Sequence, residues 1–372
     1  MVSLNPEPQT PNPELLKHTY GIIMAGGKGE RFWPFSDQGM PKPFLNILGH
    51  KTMIQLTVDR IRCLLPLERI FIVLGKSHVN VARTQLPDLP PANFLVEPEG
   101  RDTAPCIGFA ALSLMGMDPE ATMMVVPSDH FVPDTDRFTQ TVNFSVDMAN
   151  RGEYLVTIGI KPTRPETGYG YIHASDLVLG GEKEACFKVD RFVEKPDALR
   201  AQQYLDEGKY FWNAGIFVWK AKTVLAGIKD HMPELYSVLL KIGDVLARKD
   251  RKGFAVMYAG ITPKSIDYGL MEKADNVLMV PGDFTWDDVG TWSSLRRVQG
   301  EDKNGNYCSG ETICLDTKNS VICCDRLKVG VIGVSNMVIV ASSKGVLVCD
   351  ADRAQEVREI ARLMRKKSEK QE

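Results

Sequence analysis

The sequence contains no long apolar run and no excess of charge of one sign. No stretch approaches the roughly 18 consecutive apolar residues that a helix needs to cross a membrane. Residues 1–20 are rich in proline, asparagine and glutamate and hold no apolar core, which excludes an ordinary secretory signal. The formal net charge of -2 gives no general affinity for nucleic acid or anionic membranes. We therefore expect a cytoplasmic protein with no nucleic-acid or membrane partner.

Cysteine occurs eight times but never in the spacing of a zinc site. No two cysteines form a C-x-x-C pair, and several lie in apolar runs such as 322–324 and 346–349. A zinc site needs clustered thiolates or imidazoles at short spacing. We expect buried free thiols, and hence a reducing compartment.

Short apolar runs alternate with helical patterns through the first part of the chain. The apolar runs cover 21–25, 70–74 and 123–126, and helical patterns between them cover 53–65 and 103–114. This alternation indicates parallel βαβ units with both faces of the sheet covered. The region 20–150 is therefore predicted to form a doubly wound, Rossmann-like α/β half.

The middle of the chain continues this sheet with a less regular pattern. Strand patterns occur at 154–160, 169–173 and 187–193, and helical patterns at 197–208 and 221–248. They predict a mixed sheet that carries a partly antiparallel substrate lobe.

A small all-β module follows. From 306 to 348, β-branched runs alternate with turns, and a charged helix is predicted at 352–367. The irregular spacing leaves a short β-helix and other small β folds both open. We divide the chain into a tail (1–19), an α/β domain (20–294) and a β module with its helix (295–372).

The most informative segment is 21–44, GIIMAGGKGERFWPFSDQGMPKPF. An apolar strand runs into Gly26, Gly27 and Gly29, and glycines let backbone N–H groups approach phosphate oxygens. Arg31 follows and can fork onto phosphate oxygens. Lys42 stands between two prolines that are expected to keep its backbone extended. The segment offers a cradle and two cations for a triphosphate.

Two other nucleotide-binding motifs are absent from the sequence. There is no G-x-x-x-x-G-K-[ST] loop and no G-x-G-x-x-G followed by a ribose-binding acid, so neither a P-loop ATPase nor a nicotinamide dehydrogenase is indicated. A glycine-rich turn alone often binds nothing. Arg31, Pro34 and the Pro-Lys-Pro trio at this spacing argue against a purely structural turn.

The segment resembles the signature G-G-x-G-x-R-x-x-P…P-K of the sugar nucleotidylyltransferase family. Further segments resemble its mannose-1-phosphate guanylyltransferase subfamily, in order EPEGRDTAP (97–105), PSDH (127–130), ETGYGYI (166–172), VEKP (193–196), NAG (213–215), SIDYGLMEK (265–273) and WDDVGTW (286–292). The subfamily usually has Asn where this chain has Asp102, and many bacterial members have Gln in place of Pro43. The resemblance implies the nucleotide-diphospho-sugar transferase fold, GTP and mannose 1-phosphate as substrates, and Mg²⁺ as cofactor.

The resemblance also implies a role for each matching residue. Asp129 and Asp288 are expected to coordinate Mg²⁺. The catalytic residues are expected to be Arg31, Lys42, Lys195 and Asp288. The nucleotide is expected to contact Ala25, Gly26, Gly27, Gly29, Arg31, Lys42, Gly100, Arg101, Thr103 and Ser128. The sugar phosphate is expected to contact Gly168, Glu194, Lys195 and Asn213.

Alternatives stay open at this point. The same reaction with another sugar 1-phosphate or another nucleoside triphosphate is one, and an inactive regulatory paralogue that only binds a nucleotide sugar is another. Such a paralogue is expected to have lost one of Arg31, Lys42, Asp129 and Asp288, all of which are present. We treat Asp287 as structural or solvent-facing, and His130 and His173 as packing or hydrogen-bonding residues.

Three expectations concern the end of the chain. The basic run from Arg362 is most simply a solvated helix end. The β module is expected to mediate self-association, which predicts a homodimer. The chain ends soon after this module, so we expect no isomerase domain of the kind that some members of the subfamily carry.

Overall fold

The computed structural model describes residues 14–27, 29–180 and 184–369. Within these residues, one mixed sheet of nine strands forms the centre of the molecule, and a smaller sheet of four strands follows it along the chain. None of the helices in this part of the chain is both long enough and apolar enough to cross a membrane.

The large sheet has the strand order β3-β2-β1-β4-β8-β5-β9-β7-β6. Its strands are β1 (Thr19–Ala25), β2 (Ile70–Gly75), β3 (Phe94–Glu97), β4 (Thr122–Pro127), β5 (Leu155–Ile160), β6 (Gly170–Gly180), β7 (Ala185–Glu194), β8 (Tyr210–Lys220) and β9 (Val277–Gly282). The helices that accompany it are α1 (Met53–Arg62), α2 (Val79–Gln85), α3 (Thr103–Met115), α4 (Thr135–Asn150), α5 (Ala198–Glu207), α6 (Ala221–His231), α7 (Pro233–Ala247), α8 (Arg251–Ala259) and α9 (Ser294–Gln299).

The predicted parallel half is confirmed. Strand β1 pairs in parallel with β2 and with β4, and β2 pairs in parallel with β3. Parallel strands end at the same edge of a sheet, so the loops that follow Ala25, Glu97 and Pro127 meet there. This edge is where the fold presents loop residues to a ligand.

Alternate residues of the central strands enter two different cores. Ile23 of β1 and Val126 of β4 pack with α1 and α4, whereas Ile22 and Val125 pack with α3, α6 and α7. Successive strand side chains point to opposite faces, so the sheet is buried on both sides. Such burial fixes the register of β1 and β4, and with it the position of the loops at their ends.

The second half of the sheet is mixed, as predicted. Strand β8 runs antiparallel to β4, β5 and β6, while β9 runs parallel to β5. The prediction of one helix over 221–248 is wrong, because α6 ends at His231 and α7 begins at Pro233. A proline disfavours helical backbone in the residue before it, and Met232 has non-helical angles (φ -138°, ψ 58°).

The β module is a short coil. Its strands are β10 (Tyr307–Leu315), β11 (Val321–Ile332), β12 (Met337–Ser342) and β13 (Gly345–Asp350). Tyr307 pairs with Val321 and Val321 pairs with Val338, both in parallel, so successive strands stack as turns of a coil. Helix α10 (Val357–Ser368) begins later than predicted, because a 3₁₀ turn occupies Ala351–Glu356.

The module packs directly on the glycine-loop side of the α/β domain. A shared apolar core joins Phe32, Val289 and Trp292 of the domain to Val338 and Val357 of the module. The Ser293 hydroxyl of the domain donates to the Ala351 carbonyl of the module (2.9 Å), and Lys344 of the module pairs with Asp37 of the domain (2.5 Å). One apolar core therefore holds the β module against the glycine-loop side of the α/β domain.

Candidate active site

The glycine loop folds against the lysine that follows it in the sequence motif. Gly29 has a left-handed backbone (φ 58°), and a Cβ at this position would collide with the main-chain nitrogen of Lys42. The Ser36 hydroxyl donates to the Gly29 carbonyl (2.7 Å) and fixes the loop. Only glycine combines this backbone angle with so close an approach, so Gly29 brings the two halves of the motif together.

Lys42 is buried and lies between the two predicted metal ligands. Its ammonium is 3.1 Å from Oδ2 of Asp129 and donates to the main-chain carbonyl of Asp288 (2.5 Å). The expectation of an extended backbone at Lys42 is wrong, because the residue opens a single 3₁₀ turn, Lys42–Phe44. Pro43 is tolerated in that first turn, where its missing N–H has no helical partner to lose.

Asp129 and Asp288 come from distant parts of the chain. Asp129 follows β4 and Asp288 follows β9, and the two segments are joined by an antiparallel bridge between Phe131 and Asp287. The main-chain N–H of Phe131 donates to the Asp287 carbonyl (2.8 Å), and the N–H of Asp287 donates back (3.1 Å). The bridge brings both residues to the Lys42 ammonium, Asp129 through its carboxylate and Asp288 through its main-chain carbonyl.

The donor set fits Mg²⁺ in a site completed by substrate. Asp129 and Asp288 line one cleft, and the described residues contain no group of three or more acidic, histidine or cysteine side chains suited to a metal. Mg²⁺ is commonly held by one or two carboxylates together with substrate phosphates and water. Asp129 and Asp288 are therefore suited to hold the ion when the nucleotide is bound.

Neighbouring groups keep Asp129 charged and orient the Asp288 carboxylate. Burial acts to raise the pKa of Asp129, but the Lys42 ammonium outweighs it and the pKa is lowered overall. Burial lowers the pKa of His130 to about 4, so its imidazole is neutral near pH 7. The Tyr169 hydroxyl donates to Oδ1 of Asp288 (2.8 Å), and burial raises the pKa of this phenol, which stays protonated.

Asp287 has a structural role. It is 5% exposed, and its Oδ2 accepts from Nε (3.1 Å) and Nη2 (2.9 Å) of Arg297. Its Oδ1 also accepts from the N–H of Val289 (2.8 Å). The prediction of a structural residue is confirmed, and the alternative of a solvent-facing side chain is wrong. The bidentate contact leaves Asp288 as the carboxylate of this pair that faces the cleft.

These residues surround one cleft, here called the phosphate cleft. It is lined by Gly26, Gly27, Gly29, Glu30, Arg31, Phe32, Lys42, Pro43, Asp129, His130, Asp288, Gly290, Arg358 and Arg362. The structure thus brings together seven of the predicted site residues from both ends of the α/β domain. Arg358 and Arg362 belong to α10, so the expectation that the basic run from Arg362 is merely solvated is wrong.

Among the predicted nucleotide ligands, Ala25, Gly100, Arg101 and Thr103 are not in the lining of this cleft, whereas Gly26 is. Ala25 ends β1, and the loop of Gly100, Arg101 and Thr103 follows β3 at the same edge of the sheet. The Arg101 guanidinium contacts Glu99 (2.5 Å) and the carbonyl of Ala259. The Thr103 hydroxyl accepts from the N–H of Ile266 (2.8 Å). These side chains shape the loop, and their contact with a base stays a prediction.

Ser128 differs from the other predicted nucleotide ligands. Its side chain is 1% exposed, and its hydroxyl has no hydrogen-bond partner among the described residues. Its main-chain N–H donates to the Met24 carbonyl (3.1 Å), which ties the end of β4 to β1. A buried hydroxyl without a partner is unfavourable, so the position is suited to a polar group that arrives with a ligand.

The predicted sugar ligands form a second cluster. Lys195 and Glu194 form an ion pair, and Asn213 donates to Oδ1 of Asp267 (3.0 Å). Burial, reinforced by the negative charge of Glu194, raises the pKa of Asp267 to about 7. The Gly168 N–H donates to Oε1 of Glu166 (3.1 Å) in the loop before β6.

Tyr169 connects the two clusters. Its carbonyl accepts from the N–H of Lys195 (3.2 Å), and its hydroxyl donates to Asp288. A sugar phosphate held at Lys195 would therefore lie on the side of the cleft where Asp288 lies. Sequence reasoning missed Tyr169 and Asp267 as site residues, although both stand inside the quoted motifs ETGYGYI and SIDYGLMEK.

Comparison with known proteins gives consistent matches over nearly the whole chain. Residues 20–305 match the family model described as Nucleotidyl transferase, and residues 310–363 match the MannoseP isomerase/GMP-like beta-helix domain. The second match confirms the short β-helix among the alternatives for the β module.

Full-length relatives and a solved structure agree with these models. The Xanthan biosynthesis protein XanB of Xanthomonas campestris pv. campestris is 39% identical over 347 residues, which are 91% of this chain and 72% of that protein. Mannose-1-phosphate guanylyltransferase of Escherichia coli (strain K12) is 35% identical over 351 residues, 92% of this chain and 72% of that protein. The crystal structure of mannose-1-phosphate geranyltransferase from Thermus thermophilus superposes with a TM-score of 0.84 at 36% identity, covering 94% of this chain and 99% of that chain.

Proposed function

The chain belongs to the nucleotidyl transferase family, and from that premise we propose that it transfers a guanylyl group from GTP to mannose 1-phosphate. The products would be GDP-mannose and pyrophosphate. The family and the relatives make the chain a sugar-1-phosphate nucleotidyltransferase. Guanine and mannose enter the proposal because several relatives are named mannose-1-phosphate guanylyltransferase.

One observation carries the proposal. Arg31, Lys42, Asp129 and Asp288 lie in a single cleft at the edge of the sheet where the glycine loop ends. Two cations for phosphate oxygens and two carboxylates for a cation are what a nucleotidyl transfer requires. A paralogue that only binds nucleotide sugars has no need to keep all four groups in one cleft, so the geometry favours the enzyme.

The reaction needs positioning more than proton transfer. A phosphate oxygen of the sugar phosphate attacks the α-phosphorus of the nucleotide in line, and pyrophosphate leaves. The attacking phosphate is largely ionised near neutral pH because a phosphate monoester has its second pKa near about 6. Neutral His130 is then not required as a base, and Arg31 and Lys42 stabilise the charge that develops on the transferred group.

Asp129 and Asp288 would hold Mg²⁺. When bound, the ion would neutralise negative charge on the α-phosphate and make it more electrophilic. The Tyr169 hydroxyl fixes the Asp288 carboxylate, and the Lys42 ammonium fixes the Asp129 carboxylate. These contacts set the carboxylates before the nucleotide arrives, so little reorganisation is needed on binding.

Lys195 and Glu194 would hold the sugar phosphate. Glu194 is mostly buried and forms an ion pair with the more exposed Lys195. The Lys195 ammonium can move from Glu194 to a phosphate oxygen when the substrate binds. Asn213 and Asp267 offer an amide and a carboxyl to sugar hydroxyls. The hydrogen bond of the Lys195 N–H to the Tyr169 carbonyl keeps this group near the phosphate cleft.

Pyrophosphate release from purified protein with Mg²⁺ tests the proposal. GTP, UTP, dTTP and ATP would each be combined with mannose 1-phosphate and glucose 1-phosphate. We expect release with GTP and mannose 1-phosphate, and its loss in Asp288→Asn but not in Asp283→Asn, whose side chain is 94% exposed. Release with another pair would show that the proposed substrates are wrong and would support the same type of reaction. No release with any pair, alongside tight binding of GDP-mannose, would favour the regulatory paralogue.

Two further parts of the proposal concern the surroundings of the enzyme. We place it in a reducing compartment such as the cytoplasm, because all eight cysteines are free in the structure. We also propose a homodimer formed through the β module, because apolar side chains stand exposed on its strands β10 and β11.

A further inference from the structure

Helix α10 of the β module forms one wall of the phosphate cleft. Arg358 and Arg362 of this helix line the cleft together with Arg31 and Lys42 of the signature segment. The helix is anchored there by Val357, which is 2% exposed and packs in the same core as Phe32. Because Val357 directly precedes Arg358, its packing holds the first turn of α10 beside the glycine loop.

A second contact ties the helix to the loop itself. Glu30 directly precedes Arg31, and its two carboxylate oxygens accept from Arg362 (3.0 Å) and Arg365 (3.2 Å). The Glu30 side chain is largely buried under these two guanidinium groups. Hydrogen bonds between charged groups are stronger than neutral ones, so this clamp holds α10 and the glycine loop in one arrangement.

Arg358 forms no ion pair with any described residue that lines the cleft. Among the described lining residues, Lys42 is paired with Asp129, and Arg362 is paired with Glu30. Arg358 contacts its exposed neighbour Glu359 at 3.5 Å, and an exposed pair of this kind contributes little stability. Arg358 can therefore turn to an anion in the cleft at small cost, as Arg31 can.

We propose that Arg358 is a further substrate-binding residue, contributed by the β module, that binds the outer phosphates of the nucleoside triphosphate and the pyrophosphate that leaves. The inference rests on the proposed function for the identity of the ligand. Arg362 and Arg365 act as positioning residues through Glu30. The β module is then part of the active site as well as a site of packing.

Binding of pyrophosphate with Mg²⁺, measured by calorimetry on the full chain, tests this role directly. Arg358→Gln is compared with wild type and with Arg353→Gln, a more exposed arginine that pairs with Glu356 outside the cleft. Loss of one charge-assisted hydrogen bond should weaken binding about tenfold or more in Arg358→Gln, with partial recovery in Arg358→Lys. Arg353→Gln should bind as wild type does.

Steady-state kinetics separates the phosphate role from a general loss of activity. In Arg358→Gln, the KM for GTP should rise about tenfold or more for the same reason, while the KM for mannose 1-phosphate stays unchanged. Arg365→Gln, which touches the cleft only through Glu30, should shift the KM for GTP in the same direction by a smaller factor, with recovery in Arg365→Lys.

The two proposals fail in different ways. Pyrophosphate binding that is equal in wild type and Arg358→Gln would overturn this inference, even if guanylyl transfer is fully active. Binding that is weakened in Arg358→Gln, in a protein that releases no pyrophosphate from any substrate pair, would support the inference and overturn the proposed function. A rise in both KM values together would show a structural effect and also count against Arg358 as a phosphate ligand.

Discussion

At the scale of single residues, Glu97 is a buried carboxyl whose ionisation opposes folding. It ends β3, is 4% exposed, and accepts a hydrogen bond from the Tyr258 hydroxyl. Burial raises the pKa of Glu97 from 4.5 to about 7, and the hydrogen bond offsets only part of this rise. The folded chain therefore holds a proton between about pH 4.5 and 7 that the unfolded chain releases.

This predicts a pH dependence of stability with a definite sign. As pH rises from about 4.5 to 7, the free energy of unfolding should fall, because the unfolded state binds fewer protons than the folded state. Glu97→Gln keeps the acceptor for Tyr258 and removes the titration. In urea unfolding, wild type and Glu97→Gln should have equal free energies of unfolding at pH 4. At pH 8, the free energy of unfolding of Glu97→Gln should be higher by about 3 kcal/mol. The exposed Glu120→Gln serves as control, and a difference that does not change with pH would contradict the prediction.

Tyr169 contacts the predicted metal ligand Asp288, and this contact can be removed without changing the packing of its ring. Its hydroxyl fixes Oδ1 of Asp288 at 2.8 Å, and its ring packs on Trp286 (5.0 Å) and Trp212 (5.2 Å). Tyr169→Phe keeps the ring packing and removes the hydrogen bond. Loss of a partner behind a metal-binding carboxylate commonly lowers metal affinity or activity by about 10- to 100-fold.

We therefore expect Tyr169→Phe to lower kcat about tenfold and to raise the Mg²⁺ concentration needed for half-maximal rate. Pyrophosphate release at a series of Mg²⁺ concentrations measures both. Tyr204→Phe, whose ring is stacked on Tyr210 at 3.9 Å, is a matched buried control. Unchanged Mg²⁺ dependence in Tyr169→Phe would show that the tyrosine does not act through Asp288.

At the scale of elements, the start of β6 determines where the predicted sugar ligands lie. Gly170 opens this strand, and a Cβ there would collide with Oε2 of Glu194 and approach the Asn213 Cβ to 3.3 Å. The strand therefore packs closely on two of the predicted sugar ligands, Glu194 and Asn213. A displacement of about 1 Å in a binding group can change rates by up to about a hundredfold.

Gly170→Ala should accordingly raise the KM for the sugar phosphate by about ten- to a hundredfold and affect the KM for GTP much less. Gly243→Ala in α7, where a Cβ meets nothing within 4 Å, is the control for a glycine replacement that displaces no neighbour. An equal change in both KM values would mean that β6 supports the whole site and not the sugar cluster in particular.

The elements also show what the sequence could predict. The apolar runs at 70–74 and 123–126 correspond closely to β2 and β4, because strands buried on both faces are continuous in hydrophobicity. The convergence of Lys42 with Asp129 and Asp288 was expected from the family resemblance alone. Spacing could not have produced it, since the bridge between Phe131 and Asp287 joins residues far apart in the chain.

Other features lay beyond sequence reasoning for physical reasons. The break between α6 and α7 carried a local signal in Pro233, which was outweighed by the helical pattern around it. The clamp of Arg362 and Arg365 on Glu30 had no local signal, because an amphipathic basic helix looks the same whether it faces solvent or a carboxylate on another domain. Tertiary packing by Val357 decides between the two.

At the scale of the whole molecule, the β module has two distinct faces. One face carries α10 to the phosphate cleft, as described above. Another presents an exposed apolar patch, defined here by Ile313, Leu315 and Ile332, which are 71%, 55% and 72% exposed. Leu315 pairs with Ile332 across β10 and β11, and Ile313 lies two residues before Leu315 on the same face.

A contiguous apolar patch on a sheet is suited to burial against a second copy of the chain. Light scattering on the purified protein should therefore give about twice the 41.4 kDa mass of one chain. Ile332→Lys places a charge in the patch and should shift the equilibrium toward the monomer, whereas Val256→Lys on exposed α8 should not. A wild-type mass of 41.4 kDa at every concentration would exclude the dimer. A dimer that persists in Ile332→Lys would show that the interface lies outside the patch.

The patch and α10 belong to one small module, so dissociation of the dimer also tests how α10 is held. If Glu30 and the packing of Val357 hold α10 within its own chain, the close-packed contacts stay fixed when the dimer dissociates. The KM for GTP should then stay within about twofold of its value in the dimer.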